Sequence, residues 1–328
     1  MDFPLLAWSA RLYEDHFMLL DEQRLPDVEE YIRINDYIDA ASAIGNMKTR
    51  AFGQLLTVLY AMILTARKAN DLLSELKEAA EVLENSRPTF GLGKYTQMVI
   101  SWAEEAVGSG DQDAVDSVVS RIHDLLGMIR NKRLRRARIA SGLLQDGDVI
   151  LTHCNTSGEL LLTARACRSQ GKKLRFYATE TRPYFQGRLT AWEMGSDGFE
   201  ITLIPDNRAA SIIGDGLCTK VITGSDRVAR NGDIVNKIGT YQLALCAREA
   251  GIPFFAYVQD PGNAETGSDI PIEYRKGNEV TVYKGENVYP DDVDVYYPAF
   301  DVTPAPLISM LITFENALTP AEFAGSIV

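Results

Sequence analysis

From Gly147 to the C-terminus, short apolar runs alternate with helical patterns, and that alternation narrows the possible folds more than any other feature of the chain. The runs lie at residues 149–151, 174–178, 201–204, 220–223, 253–257 and 310–313, and helical stretches such as 238–250 separate most of them. Strands joined through helices cannot be hairpin partners, so the pattern predicts a parallel, doubly wound sheet with helices on its faces. Residues 259–296 are rich in Gly, Pro and acidic side chains, and are expected to form loops and short strands over one end of that sheet.

Upstream of Gly147 the texture is helical. A strongly apolar helix is expected over 54–69. A second has Leu72, Leu73, Leu76, Ala80 and Leu83 at helical spacing and stops at Asn85-Ser86-Arg87-Pro88, because proline disfavours the helical region for the residue before it. Further helices are expected over 94–107 and 112–144, while residues 1–45, mixed and acidic, read as short helices. The chain is therefore expected to be α/β, with a helical N-terminal domain over 1–144 and a parallel-sheet domain over 145–328. Arg130, Lys132, Arg133, Arg135, Arg136 and Arg138 form a basic run near the end of the last helix. We read it as a solvated helix face whose cations suit the C-terminal end of the dipole, rather than as an anion or RNA contact.

Composition excludes several classes of function. A formal net charge of -12 argues against broad nucleic-acid binding, which needs a basic footprint. The four cysteines, Cys154, Cys167, Cys218 and Cys246, lie far apart without a Cys-x-x-Cys, which fits neither a disulfide framework nor a zinc pattern. With three histidines, a histidine-rich metal site is not expected. The N-terminus is acidic rather than signal-like, and the most apolar window, 55–66, is too short to span a bilayer. A cytoplasmic, reduced protein without a membrane partner is expected.

The chemistry is expected along one edge of the sheet. The strand at 149–151 runs into Thr152, His153 and Cys154, then a polar turn, Asn155 to Gly158, and a helix. Open α/β sheets place ligands beyond the carboxyl ends of their strands, and a helix N-terminus there offers N–H groups to a phosphate and lowers the pKa of a thiol. Cys154 is thus either a site thiol or a small buried hydrophobe. Other polar clusters follow the later strands: 179–187, Asp206-Asn207-Arg208 and Gly224-Ser-Asp-Arg227. Val235-Asn-Lys-Ile-Gly239 is read as opening the next helix, and 298–304 precedes the last strand. Singly, each could be capping and turn chemistry. Together they assemble a thiol (Cys154), a carboxylate (Asp226), a lysine beside an amide (Asn236, Lys237) and arginines. A thiol and a carboxylate can move protons, and Arg and Lys hold phosphate. The chain lacks a Gly-x-Gly-x-x-Gly after its first strand, a Gly-x-Ser-x-Gly elbow and a P-loop, so no dinucleotide cofactor is expected. Proton transfer on a phosphorylated small molecule is the expected chemistry.

Thr152-His-Cys-Asn155, Glu180-Thr-Arg-Pro183, Gln186-Gly187, Leu189-Thr-Ala-Trp-Glu193, Gly224-Ser-Asp-Arg227, Asn231-Gly-Asp233, Asn236-Lys-Ile-Gly-Thr240 and Tyr297-Pro-Ala-Phe-Asp-Val-Thr-Pro304 occur in this order. The series, with Arg50 and Ser86-Arg-Pro-Thr89 as anchors upstream, resembles the 5-methylthioribose-1-phosphate isomerase family. The wider superfamily also holds ribose-1,5-bisphosphate isomerases and regulatory subunits of a translation-initiation exchange factor. The resemblance implies a Rossmann-like C-terminal domain, a homodimer and a cofactor-free, metal-free conversion of an aldose 1-phosphate to a ketose 1-phosphate. By position it implies Cys154 and Asp226 as the catalytic pair, and Arg50, Arg87, Gln186, Asn236 and Lys237 as substrate- or phosphate-binding residues.

Three stretches depart from the isomerase pattern. Arg50-Ala-Phe stands where the isomerases have Arg-Gly-Ala, Tyr297 stands where they have Asn, and Glu273-Tyr-Arg-Lys-Gly277 replaces Glu-Arg-Asp-Pro. The segment between Cys154 and Gln186 is closer in length to the bisphosphate enzymes, whereas Asn155, 189–193 and Asp206-Asn207 lean toward the methylthioribose enzymes. A methylthio, deoxy or phosphate group at the far end of the sugar all stay open here, as does a non-catalytic regulatory role.

Overall fold

A computed structural model describes residues 3–87, 91–290 and 292–327, with the side chain of Ala51 also outside the description. Pro88 and Thr89 of the upstream anchor therefore lie outside the described residues. By contacts the chain divides into two compact units, residues 1–131 and 132–328.

The first unit opens with a three-stranded antiparallel sheet, β1 (Ala10–Leu12), β2 (Phe17–Leu20) and β3 (Tyr31–Ile34), with β2 in the middle. Short helices were expected here. Phe17 and Leu19 alternate inward with no exposure, and the Phe17 ring meets Tyr60 at 5.6 Å between centroids. Strands this short in an acidic context leave too few alternating positions to read. Helices follow: α1 (Tyr37–Gly45), α2 (Ala51–Lys68), α3 (Leu72–Ser86), α4 (Gly93–Gly108) and α5 (Ala114–Gly142), which runs on into the second unit. Asp36 caps α1 through the Ile38 and Asp39 N–H groups, and Asp71 caps α3 through that of Ser74. Leu56 to Leu64 are buried all round α2, which marks it as the central helix of this unit. Thr57 and Thr65 sit within α2 because their hydroxyls donate to the carbonyls of Gly53 and Ala61, one turn back.

The second unit is built on a seven-stranded sheet. In chain order its elements are β4 (Val149–Thr152), α6 (Glu159–Ser169), β5 (Arg175–Thr179), α7 (Gln186–Ser196), β6 (Glu200–Ile204), α8 (Ala209–Gly214), β7 (Lys220–Thr223), β8 (Arg227–Val228), β9 (Ile234–Lys237), α9 (Thr240–Glu249), β10 (Phe254–Tyr257), α10 (Asn278–Thr281), β11 (Val282–Tyr283), β12 (Glu286–Asn287), β13 (Phe300–Thr303), β14 (Met310–Ile312), β15 (Ala317–Leu318) and α11 (Pro320–Ser326). The strand order is β15-β14-β10-β7-β4-β5-β6, parallel throughout except for β15. The α/β class and the parallel sheet are thus as expected. The chain winds outward from β4 to one side through β5 and β6, then returns to the other side through β7, β10 and β14. Its switch point lies between β4 and β7, where doubly wound sheets open a crevice.

Alternation along the central strands divides two cores. Val149, Leu151, Val221, Phe254, Ala256 and Leu311 pack with α8, α9 and α11, while Ile150, Ile222, Phe255, Tyr257 and Ile312 pack with α6 and α7. β4, β7 and β10 are buried on both faces, so they read as continuous apolar runs. A second sheet, β8-β9-β13, is antiparallel. Asn236 and Lys237 lie on β9 of this sheet rather than opening a helix, which starts only at Thr240 after Gly239 turns with φ 107°. The stretch 298–304 likewise contains a strand, β13, paired to β9.

Two of the basic-run residues correct the solvated-face reading. Arg133 and Arg136 are buried and converge on Glu159 in the first turn of α6, with N···O separations of 2.6 Å each. Arg133 also donates to the Ser157 carbonyl, and Arg136 donates to that of Val258 and stacks 4.0 Å from the Phe314 ring centroid. Burial pushes the Glu159 carboxyl up, but the two guanidiniums more than offset it and hold it below the ordinary glutamate range.

Candidate active site

The ends of β4 and β5 are tied together around Cys154. His153 is buried with both ring nitrogens engaged: Nε2 lies 2.9 Å from the Ile238 carbonyl oxygen and Nδ1 2.6 Å from the Thr179 hydroxyl. A carbonyl only accepts, so Nε2 carries the proton and Nδ1 accepts from Thr179. Burial lowers the pKa of this imidazole, and Asp206 opposes the shift only in part. His153 is therefore a neutral strut between β4 and the turn into α9, not a proton carrier.

Cys154 follows with φ 63°, the left-handed region that a residue with a side chain seldom occupies. Its backbone is fastened at both ends: its N–H donates to the Thr181 hydroxyl at 2.9 Å, and its carbonyl accepts from the Thr190 hydroxyl at 2.8 Å. Its thiol lies 2.8 Å from Gln186 Oε1 at the start of α7. Burial pushes the thiols of Cys167 and Cys218 up to about 11, as for inert core cysteines.

Gln186 reaches the thiol because α7 begins hard against β5. A Cβ on Gly187 would stand 1.6 Å from the Thr179 carbonyl oxygen, so only glycine fits this approach. The loop before it is set by Asp206, which accepts from the N–H groups of Thr181 and Arg182 at 2.8 Å each.

Asp226 follows β7, across the switch point from Cys154. Its N–H donates to the Val235 carbonyl at 2.9 Å, and the residue is exposed. The next residue on β9, Asn236, is 5% exposed and donates to the Thr240 hydroxyl. Lys237, 6% exposed, holds its ammonium 4.4 Å from the Phe300 ring centroid and 5.3 Å from that of Tyr184. On β13 Asp301 accepts from the Gly239 and Tyr241 N–H groups, capping α9, while burial pushes its carboxyl up to about 6.

Tyr184 opens a network that sequence reasoning did not find. Its hydroxyl donates to Glu279 Oε2, and Arg275 is held by Glu279 at 2.6 Å and by Glu273 at 2.7 Å. The only sequence signal was the departure at 273–277.

The sequence-predicted residues thus fall in two groups. Cys154, Gln186, Asn236, Lys237 and Asp226 lie beyond strand ends or on the small sheet of the second unit. Arg50 and Arg87 lie in the first, Arg50 as the residue before α2 and Arg87 donating to Gln54 of α2 at 2.6 Å. Behind Arg50, the buried Glu22 accepts from the Thr49 hydroxyl at 2.6 Å and from the Arg50 N–H at 3.2 Å. Among the described residues no three or more His, Cys, Asp or Glu side chains converge as a metal site.

This doubly wound sheet, with a thiol and a carboxylate on either side of its switch point, belongs to a known class. The chain belongs to the initiation factor 2 subunit family, whose model matches residues 46–320. At finer grain, it is 38% identical to the methylthioribose-1-phosphate isomerase of Thermosipho africanus, over 96% of this chain and 94% of that protein. Among solved structures, 5-methylthioribose 1-phosphate isomerase from Pyrococcus horikoshii superposes with a TM-score of 0.88 at 29% identity, covering 99% of this chain and 97% of the other. The translation initiation factor eIF-2B, subunit delta, from A. fulgidus gives 0.85 at 31% identity, covering 97% and 96%.

Proposed function

We propose that this protein is a sugar-phosphate isomerase that converts 5-methylthioribose 1-phosphate, or a related 5-deoxypentose 1-phosphate, to the corresponding ketose 1-phosphate. The observation that carries the reading is the seating of Cys154, in left-handed backbone against Gln186, at a switch point whose other side bears Asp226. Relatives named for this activity, similar over nearly the whole chain, support it.

The chemistry gives each group a task. An anomeric phosphate locks the sugar as an acetal, so ring opening needs an acid at the ring oxygen. A base must then take the C2 proton and a proton must return to C1, leaving a carbonyl at C2 with the phosphate still on C1. We assign the acid to Asp226 and the C2 base to Cys154. Asp226 is exposed in this structure, where an incoming sugar can reach its carboxyl. Gln186, with its amide against the thiol, positions Cys154. Lys237, Asn236, Arg50 and Arg87 are assigned to the phosphate and sugar hydroxyls.

The wall beside Cys154 favours an uncharged far end on the sugar. Arg275 is already shared by Glu273 and Glu279, so its charge is committed rather than offered to a second phosphate. That supports the methylthio or deoxy sugars over ribose 1,5-bisphosphate. The assembled thiol site likewise supports catalysis over a purely regulatory role.

Phosphorus NMR of the protein with methylthioribose 1-phosphate, 5-deoxyribose 1-phosphate, ribose 1-phosphate and ribose 1,5-bisphosphate tests the reading. Conversion of the first two is expected, and no turnover of any of the four would overturn it. Cys154→Ser and Asp226→Asn should each nearly abolish turnover while substrate still binds; near-normal rates in either would remove that residue from the mechanism.

A further inference from the structure

Tyr297 stands apart from the other polar side chains of the second unit. It is 6% exposed, and its hydroxyl is buried without a hydrogen bond. Buried polar groups in folded proteins are almost always paired, and an exception calls for a reason. Three threonine hydroxyls, on Thr152, Thr223 and Thr303, share this condition, but those residues are wholly inaccessible.

The backbone of Tyr297 is fixed on both sides. Its carbonyl accepts from the Arg275 N–H at 3.0 Å, and two residues on, the Ala299 N–H donates to the Glu273 carbonyl at 2.8 Å. β13 then begins at Phe300, whose register partner on β9 is Lys237. The Tyr297 backbone therefore runs beside Arg275 and leads into the strand that pairs with Lys237. Burial pushes the Tyr297 phenol above the ordinary tyrosine value; Tyr184, Glu279 and Cys154 push it the same way, and Arg275 opposes them. Its hydroxyl thus lies within electrostatic reach of the candidate thiol. Three of the groups that act on it electrostatically are engaged with one another or with Glu273: Tyr184 with Glu279, Glu279 with Arg275, Arg275 with Glu273.

We propose that Tyr297 is a substrate-contacting residue whose phenol hydroxyl hydrogen-bonds a hydroxyl of the bound sugar on the Cys154 side. The inference rests on the sugar-phosphate reading above. A phenol can both donate and accept, as a sugar hydroxyl can, so the pair satisfies both groups once water has left the site. Without the sugar the hydroxyl has no partner among the described residues, so the same atom that aids binding weakens the unliganded fold.

That opposition separates a binding role from a structural one. Tyr297→Phe removes a single oxygen and keeps the ring, so it is expected to melt at or above the wild-type temperature. Its kcat/KM on methylthioribose 1-phosphate should fall about five- to tenfold, as for loss of one neutral hydrogen bond. A Phe variant with kcat/KM within twofold of wild type, or one that melts several degrees lower, would overturn the proposal. Tyr297→Asn supplies a second reading: a shorter donor should leave kcat/KM at least as low as in the Phe variant, and wild-type kinetics there would also count against it. If the wild-type protein turns over none of the four sugar phosphates, the functional reading and this proposal fall together. If wild type is active and the Phe variant matches it, this proposal alone falls.

Discussion

Cys154, Gln186 and Gly187 form the smallest unit on which the site depends. Because a methyl group at 187 would overlap the Thr179 carbonyl, Gly187→Ala must push α7 away from β5 and draw Gln186 off the thiol. We expect kcat to fall by at least tenfold and the fold to lose on the order of 1–3 kcal/mol, read by turnover and by urea melts. Glu22 makes a separate prediction in the first unit. Burial raises its pKa to about 7, although the Thr49 bond and Arg50 pull it down. A raised carboxyl favours the fold fully below the ordinary glutamate value, and that contribution is lost as pH rises through about 7, on the order of 3 kcal/mol in all. Glu22→Gln should therefore lose less stability than wild type between pH 5 and pH 8; equal losses in paired thermal melts would refute it. Little of this was legible beforehand. Cys154 stood out because a reactive residue type followed an apolar run, and Gln186-Gly187 because they belong to a family motif. The burial of Glu22 depends on a partner pair, Thr49 and Arg50, twenty-eight residues away in the case of Arg50, and no local pattern encodes such contacts.

At the scale of elements, legibility follows length and amphipathicity. The strands of the parallel sheet were readable because residues buried on both faces give unbroken apolar runs, as in β4 and β10. The long helices were readable from their spacing. β1 to β3 were not, and β9 was taken for the start of a helix because only Ile238 and Gly239 separate it from α9. The basic run misled for a physical reason. Arginines near the end of a helix usually face water, but Glu159, itself buried in the first turn of α6, draws Arg133 and Arg136 inward. Removing the carboxylate would leave two buried guanidiniums without their shared counter-ion. Glu159→Gln is expected to destabilise the fold by about 3–5 kcal/mol, seen as a lower denaturant midpoint. A change under 1 kcal/mol would mean that water reaches the pair.

At the scale of the whole molecule, no helix among the described residues is long and apolar enough to cross a membrane. We propose that the chain forms a homodimer, as the resemblance implies. Light scattering should return twice the 36.3 kDa chain mass, and a monomer at micromolar concentration would dismiss it. The sheet order carries a wider meaning. Cys154, Gln186 and Asp226 all stand past the last paired residues of their strands, while the two cores that hold the sheet lie beneath them. None of the three is needed to keep those strands in register. Descent can therefore silence the reaction and retain the architecture, which makes this scaffold easy to reassign: a reader of small molecules, or a component of a larger assembly, is only a few side chains from an enzyme.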